Sequence, residues 1–234
     1  MAGFKTHITT STVLGVGCGA AGYFLLEVPL AGAMLGAGLC SLSGVLPDLD
    51  SDSGVPVRET MAFAAAIVPM LMIDRFQQMG LSHESIALAG GIIYLVIRFG
   101  LAEIFNRFTM HRGMWHSLPA AAIAGTIAFL VCSCEHIELR MFKTGAVMLG
   151  FISHLLLDEL YSIEWKRGRV HLKKSFGTAL KLWSGRRWAN MATYGELMLL
   201  VFIAVGDPFV MDYFGFHDGN VHSIAYDMVN EMFR

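Results

Sequence analysis

The sequence predicts an all-α fold, a polytopic helical membrane bundle with about seven membrane segments. Of the 234 residues, 55% are hydrophobic and only 15% are charged, whereas a soluble domain carries about a quarter charged residues. The apolar residues are gathered in long stretches, and a helix needs about 20 such residues to cross the hydrocarbon of a bilayer. These stretches lack the alternating pattern of barrel strands, so helices are expected throughout.

The chain is predicted to form one membrane-embedded domain, residues 1–234. Its predicted membrane segments are residues 9–26, 29–46, 60–73, 85–105, 118–133, 142–160 and 193–213. The first segment continues almost directly into the second, without the pattern of a cleavable signal peptide, so we interpret it as a retained span. Residues 161–192 are predicted to be a basic interfacial loop that contacts membrane lipids. The alternative is a loop that only sets the topology.

Two pairs of glycines predict close packing of the first two segments. Gly15 and Gly19 lie in the first segment, and Gly32 and Gly36 lie in the second. A spacing of four places small residues on one helix face and lets two backbones approach closely. A tight helical hairpin is therefore expected, and the pattern concerns packing and not function.

The four cysteines are interpreted as small hydrophobic residues. Cys18, Cys40, Cys132 and Cys134 lie in or beside apolar segments and do not have a C-x-x-C spacing. This distribution argues against a disulfide framework or a zinc ribbon. Cys132 and Cys134, with His136 close by, could in principle hold a metal.

Basic residues are distributed unevenly when the seven segments are threaded up and down through a membrane. One side has the N-terminus and the connections after the second, fourth and sixth segments, and it holds twelve of the seventeen basic residues. These twelve are Lys5, Arg58, Arg107, Arg112, Lys166, Arg167, Arg169, Lys173, Lys174, Lys181, Arg186 and Arg187. By the positive-inside tendency, this side faces the cytoplasm.

The same threading brings four groups of metal-ligand residues to the cytoplasmic side. The groups are His7 before the first segment, Asp48 and Asp50 after the second, His111 and His116 between the fourth and fifth, and His154 and Asp158 at the end of the sixth. Imidazoles and carboxylates are the side chains that hold divalent transition metals. Their convergence on one membrane surface favours a shared site more than any single motif does.

The spacing within the groups is compatible with binding of one cation. His154 and Asp158 are four residues apart, so they share a helix face. His111 and His116 are five apart, so the chain must bend near Gly113 if both bind one metal. Single histidines or carboxylates at helix ends are most often ordinary polar residues. The prediction therefore depends on the groups acting together.

The donor set predicts metal-dependent hydrolysis. Nitrogen and oxygen ligands suit zinc, manganese or iron(II), with zinc expected first, and they argue against copper(I). Such a centre lowers the pKa of a bound water and polarises a phosphoryl or acyl oxygen. The predicted metal ligands are His7, Asp48, His111, His116, His154 and Asp158. Asp50 is the predicted general base, and Arg112 is predicted to hold an anionic phosphoryl group through two hydrogen bonds.

Three ordered motifs resemble the family of inner-membrane metal-dependent hydrolases that is also called LexA-binding or YdjM-like. The motifs are GVLPDLD at 44–50, HRGMWHS at 111–117 and GFISHLLLD at 150–158, with His7 before them. The resemblance covers roughly residues 1–165. It implies a location in the bacterial inner membrane. It also implies that the residues corresponding to the family's metal-site positions are His7, Asp48, Asp50, His111, His116, His154 and Asp158.

The favoured function is that of a membrane-bound hydrolase acting at the cytoplasmic face on a phosphoester or ester of a lipid or envelope precursor. The main alternative is a non-catalytic scaffold or regulator that the metal stabilises. A carrier is less favoured, because carriers bind substrate near the bilayer midplane on broken helices and these ligands lie at helix ends. Membrane lipids are the expected partners and nucleic acid is not, while the oligomeric state is left open.

Overall fold

A computed structural model describes residues 3–50, 54–101, 114–132, 134, 136–166, 169–173 and 177–214. Within these ranges, only the backbone is described at residues 49–50, 54–59, 101, 164–166, 169–170 and 172. The helices in this part are α1 (Phe4–Leu25), α2 (Leu30–Ser43), α3 (Gly54–Leu71), α4 (Ile73–Gln78), α5 (His83–Leu95), α6 (Leu118–Val131), α7 (Ile137–Leu160), α8 (Arg187–Val205) and α9 (Pro208–Tyr213). A 3-10 turn (Leu46–Asp50) follows α2, and a π-helical segment (Val96–Leu101) continues α5. The strands β1 (Ile163–Lys166) and β2 (Arg169–Leu172) pair antiparallel.

The predicted helical membrane bundle is confirmed. Six helical stretches of the described chain are long and apolar enough to cross a bilayer: Phe4–Leu25, Leu30–Asp48, Thr60–Gln78, His83–Gly100, Ile137–Leu160 and Arg187–Val205. The fifth predicted segment is the shorter helix α6, of 14 residues. At 1.5 Å per residue α6 is about 21 Å long, less than the hydrocarbon thickness of about 30 Å. It packs between α7 and α8.

Helix α7 is the centre of the bundle and packs against α1, α2 and α6. Phe151 and Leu155 of α7 are fully buried, and the small side chains of Ala120, Ala121 and Ala124 on α6 cover them. Alanine lets the two helices approach closely and leaves the volume between them to the larger α7 side chains. The residues before the carboxyl end of α7 are therefore held in a tightly packed core.

The glycine pairs serve two different interfaces. Gly15 of α1 lies against the backbone of α2 at Ala37, where any side chain would collide, as expected for the α1–α2 hairpin. Gly32 and Gly36 of α2 instead lie under side chains of α7, with Phe142 over Gly36. The spacing of four thus predicts close approach correctly, but the partner helix depends on the tertiary arrangement.

A second group of helices stands beside this core. Met61 and Ala65 of α3 pack with Ile97 of the π-helical segment. Leu46 and Trp115 contact this cluster as well, and the indole Nε1 of Trp115 donates to the carbonyl of Leu46 at 2.9 Å. The two groups of helices are therefore joined near the 3-10 turn.

A buried ion cluster lies where α7 begins and α8 ends. Asp207 accepts hydrogen bonds from the Arg140 guanidinium at 2.9 and 3.1 Å and from Arg75 at 2.5 Å. Arg140 is fully buried, and it also donates to the carbonyl of Phe129 at 3.0 Å. Two guanidinium groups therefore surround this one buried carboxylate. The cluster fastens three separate segments to one another.

The basic connection between α7 and α8 contains more structure than its composition indicates. After the β1–β2 hairpin, the chain returns over the bundle, where Ala179 is buried against the α6–α7 core. The carboxylate of Glu159 accepts from the backbone N–H groups of Gly177 and Ala179. Trp183 and Trp188, farther along, are exposed, as a segment lying in the membrane interface requires.

Candidate metal centre

Five of the predicted ligands come together where α1 begins and α7 ends. His7 lies in the first turn of α1, Asp48 in the 3-10 turn after α2, and His116 two residues before α6. His154 and Asp158 lie in the last two turns of α7. Four separate segments thus supply the donors, as the threading of the sequence predicts. The five side chains form what we call the donor cluster.

One half of the donor cluster consists of His7, His154 and Asp158. The His7 Nε2 is 3.3 Å from Asp158 Oδ1, and the His154 Nε2 is 3.7 Å from Asp158 Oδ2. The two imidazole rings are stacked, with their centroids 3.6 Å apart and their planes 12° apart. The spacing of four on α7 therefore does place His154 and Asp158 on one face.

The other half of the donor cluster consists of Asp48, His116 and His154. The His154 Nε2 is 3.5 Å from Asp48 Oδ1, and the His116 ring lies 5.7 Å from the His154 ring between centroids. In each half, one ligand atom from every residue lies within 4.8 Å of the others. His154 belongs to both halves and is the centre of the arrangement.

A hydrogen bond to the backbone orients His154. Its Nδ1 is 2.8 Å from the carbonyl oxygen of Gly44, and a carbonyl only accepts, so Nδ1 carries the proton. In the neutral ring, Nε2 then carries a lone pair that faces the carboxylates of Asp48 and Asp158. A lone pair and two carboxylates that face one another attract a cation. Metal-bound histidines commonly have this backbone support on the other ring nitrogen.

The distances and the burial also fit a cation. Zinc bonds of about 2.0–2.2 Å in tetrahedral geometry separate the donor atoms by about 3.3–3.6 Å, close to the 3.3, 3.5 and 3.7 Å found here. His7 Nδ1 and His154 Nε2 are buried and find no hydrogen-bond partner among the described residues. Polar atoms buried without partners are costly. The residues present therefore fit a divalent transition metal.

Solvent reaches the donor cluster from one direction. The side chains of His7 and His154 are at most 1% exposed, and that of Asp158 is 4% exposed, whereas the side chain of Asp48 is 21% exposed. Asp48 lies in the turn that leaves α2, at the edge of the described chain. A molecule in the solvent would therefore meet Asp48 first, with the imidazoles behind it.

Small residues let three helices meet beside the donor cluster. Gly44 faces Ser11 of α1, and a side chain on Gly44 would collide with it. The hydroxyl of Ser11 donates to the carbonyl of Ser41 at 2.7 Å. Gly150 of α7 lies against the carbonyl of Cys40 on α2. Gly150 is one helical turn before His154, so the contact sets the distance between His154 and Gly44.

Replacing Gly150 by alanine is expected to weaken the donor cluster. The added methyl would overlap the Cys40 carbonyl, so α2 has to move away from α7 and carry Gly44 with it. We expect a loss of about 1–3 kcal/mol of stability and about tenfold weaker metal binding through the lost support of His154. Competition with a coloured chelator measures the metal affinity of the purified variant.

Gly145→Ala is the matched control for this variant. Gly145 lies in the same helix, but its position is open, with nothing within 4 Å of an added methyl group. Alanine there should stabilise the helix slightly and leave metal binding unchanged. Equal metal affinity of the two variants would contradict the proposed role of the Gly150 contact.

The remaining predicted site residues are not covered by the description. His111 and Arg112 lie outside the described residues, and so does the side chain of Asp50. Two other residues act on the cluster without having been predicted. Gly44 supplies a backbone carbonyl, and Trp115 holds the 3-10 turn through its bond to the Leu46 carbonyl. Both residues lie inside the quoted motifs, Gly44 at the start of GVLPDLD and Trp115 within HRGMWHS, but residue type alone does not show that a backbone carbonyl will act as an acceptor.

Comparison with known proteins identifies the family. The family model of the YdjM inner membrane protein matches residues 1–205, which covers both the donor cluster and α8. No curated protein and no solved structure matches the chain. The motifs, the six apolar helices and the family match agree that this is an integral inner-membrane protein. The chain belongs to the YdjM inner membrane protein family.

Proposed function

We propose that this protein is a metal-dependent hydrolase that works at the cytoplasmic face of the inner membrane, on a phosphoester or ester of a lipid or envelope precursor. The observation that carries the proposal is the donor cluster, two overlapping sets of three ligands that share His154. Its imidazole and carboxylate donors suit zinc, with manganese or iron(II) as alternatives.

The proposed roles of the residues follow from their positions. His7, His116, His154 and Asp158 would hold the metal, and Asp48, the most exposed member of the cluster, would ligate it on the side of the substrate. A divalent metal bound there supplies a water of lowered pKa and polarises a phosphoryl or acyl oxygen. Gly44 fixes the orientation of His154 before substrate arrives, which avoids reorganisation during the reaction.

The residues outside the donor cluster complete the proposal. His111 is proposed as a further ligand, from the same motif as His116. Asp50, two residues after Asp48, is proposed to take the proton of the attacking water. Arg112 is proposed to hold the anionic phosphoryl group.

The distribution of charge supports the cytoplasmic orientation of the cluster. Lys5 at the start of α1 and the basic connection after α7 lie at the same end of the bundle as the donors. At the other end, Asp207 pairs with both Arg75 and Arg140. Twelve of the seventeen basic residues belong to the side of the donor cluster in the threading of the sequence, as the positive-inside tendency requires of a cytoplasmic face.

A structural role for the metal is the second candidate. The donors come from four separate segments, so one ion would fasten α1, α2, the start of α6 and α7 together. Metals that bridge distant segments can contribute folding free energy without any chemistry. A scaffold or regulator of this kind would hold metal and have no turnover.

The two candidates are separated by hydrolysis of bis(4-nitrophenyl) phosphate by the detergent-purified protein. The hydrolase is expected to lose turnover after chelation and to regain it with added zinc. Asp50→Asn should keep the metal but lower kcat by about 100-fold or more. Asp74→Asn, an exposed carboxylate at the other end of the bundle, is the control. The hydrolase would be contradicted, and the scaffold favoured, if the protein retains metal and unfolds when the metal is chelated but hydrolyses no ester.

A further inference from the structure

An apolar groove separates α3 from α2 and α6. Its volume is about 210 Å³, more than the engineered cavity of about 150 Å³ that stays dry and binds benzene. Its principal lining side chains are Leu39, Leu42, Phe63, Ile67, Ile127 and Val131.

The groove runs along the membrane-spanning part of the protein. Along α3 its lining extends from Thr60 to Leu71, about 16 Å at 1.5 Å per residue. The two hydroxyl side chains of the lining, Ser43 and Thr60, lie toward the ends of α2 and α3 that flank the 3-10 turn. The other end, at Leu71 and Val131, is apolar. Polarity therefore increases toward the donor cluster.

One end of the groove adjoins the donor cluster. Leu46 lines the groove and is two residues before Asp48 in the same 3-10 turn. The carbonyl of Leu46 accepts from the indole of Trp115, which is the neighbour of His116. Leu46, near one proposed ligand in the chain, thus forms the wall at this end of the groove, and Trp115, next to another, holds its backbone.

The shape and chemistry of the groove select its occupant. A helix with its side chains is about 10 Å or more across, too wide for this volume. Water is disfavoured, because an apolar wall offers it no hydrogen bonds. An extended hydrocarbon chain matches the length and the apolar lining of the groove, and it makes dispersion contacts with the lining side chains.

We propose that the groove binds one hydrocarbon chain of the substrate, so that the substrate class is a long-chain lipid whose ester or phosphoester bond lies at the donor cluster. This inference rests on the proposed hydrolase function and specifies it further. The hydrocarbon chain lies between α3 and α6, and the polar end of the lipid lies toward Leu46 and Asp48. The length of hydrocarbon held in the groove then sets the position of the scissile bond at the donor cluster.

A photolabelling experiment tests occupancy without requiring turnover. The full-length protein is placed in vesicles of phosphatidylglycerol with a diazirine at the end of one acyl chain, and cross-links are mapped by mass spectrometry. Labelling is expected on α3 and α6 at groove positions such as Ile67 and Val131. The double variant Ala64→Trp, Ala128→Trp fills the groove and should lose these cross-links. Ala20→Trp, on an exposed face of α1, should keep them.

A second measurement tests whether the bound chain belongs to the substrate. The parent is assayed with ethyl, octyl and hexadecyl 4-nitrophenyl phosphodiesters, and kcat/KM is expected to rise by about 100-fold or more along the series. The groove-filling variant should lose most of this rise, and Ala20→Trp should keep it.

The outcomes of the two arms are distinct. If the groove is labelled but kcat/KM does not depend on the length of the alkyl chain, the bound lipid is structural and the substrate assignment is overturned. Absence of groove labelling overturns the inference, and the ethyl ester then still reports whether the proposed hydrolase function holds. If no ester is hydrolysed, the proposed function and the substrate assignment fail together, whatever the labelling shows.

Discussion

Replacing His154 by alanine is expected to remove the metal from the purified protein. His154 contributes to both halves of the donor cluster, and no other residue of the cluster has its ring held by a backbone carbonyl in the described structure. Loss of one supporting contact alone commonly weakens metal binding by 10–100-fold, so loss of this shared ligand should weaken it by at least about 100-fold. Elemental analysis after dialysis against a chelator measures the metal retained.

The control for this variant is His171→Ala. His171 lies in β2, in the basic connection on the same side of the bundle, and it is exposed. The control should retain the metal of the parent protein. His7→Ala and Asp158→Asn should also lose metal, but their effects will not add to that of His154→Ala, because the three side chains contact one another. Full metal content in His154→Ala with unchanged helicity would rule out the proposed centre.

Replacing Asp207 by asparagine is expected to cost about 3–5 kcal/mol of stability, because it leaves the buried guanidinium of Arg140 without its counter-charge. Arg140 and Asp207 are essentially inaccessible to solvent, while Arg75 is partly exposed. Arg75→Ala should therefore have a smaller effect than Asp207→Asn. Unfolding by SDS in mixed micelles, followed by circular dichroism, measures the change in free energy.

Two further variants define what the Asp207 result means. Asp74→Asn, at an exposed site near the same end, should change stability by at most about 0.5 kcal/mol. The double variant Arg140→Met, Asp207→Leu should recover most of the loss, because it removes both buried charges together. Metal content should stay unchanged in all of these proteins, since the ion cluster lies at the opposite end of α7 from the donor cluster. A cost below about 1 kcal/mol for Asp207→Asn would show that the pair does not fasten the bundle.

The convergence of His7, Asp48, His116, His154 and Asp158 could be predicted from the sequence for a simple reason. Apolar segments that cross a bilayer must alternate in direction, so the ends of alternate connections meet at one surface. The helical period then places His154 and Asp158 on one face. These arguments need only distances along the chain. They do not identify the metal or the reaction, which remain predictions.

Other features of the site depend on contacts between residues that are far apart in the sequence, and the spacing of residues does not predict these contacts. The bond from His154 to the Gly44 carbonyl joins residues that are 110 positions apart. It exists because Gly150 and Gly44 let α7, α2 and α1 approach closely. The sequence predicts that Arg75 and Arg140 lie on the side opposite the donors and that Asp207 lies within the last membrane segment, but their pairing depends on where α4, α7 and α9 begin.

The sequence by itself determined the fold class, the membrane setting, the family resemblance and the gathering of the predicted ligands at one end of the bundle. Hydrophobic length and helical periodicity are properties of a single segment, so they can be read without knowing which segments are neighbours. Only the tertiary structure decided that His154 is shared by two sets of donors, that α6 is a short helix packed between α7 and α8, and that an apolar groove lies between α3 and α6. Those features depend on the packing of side chains from distant segments, where a single methyl group changes which helices can touch.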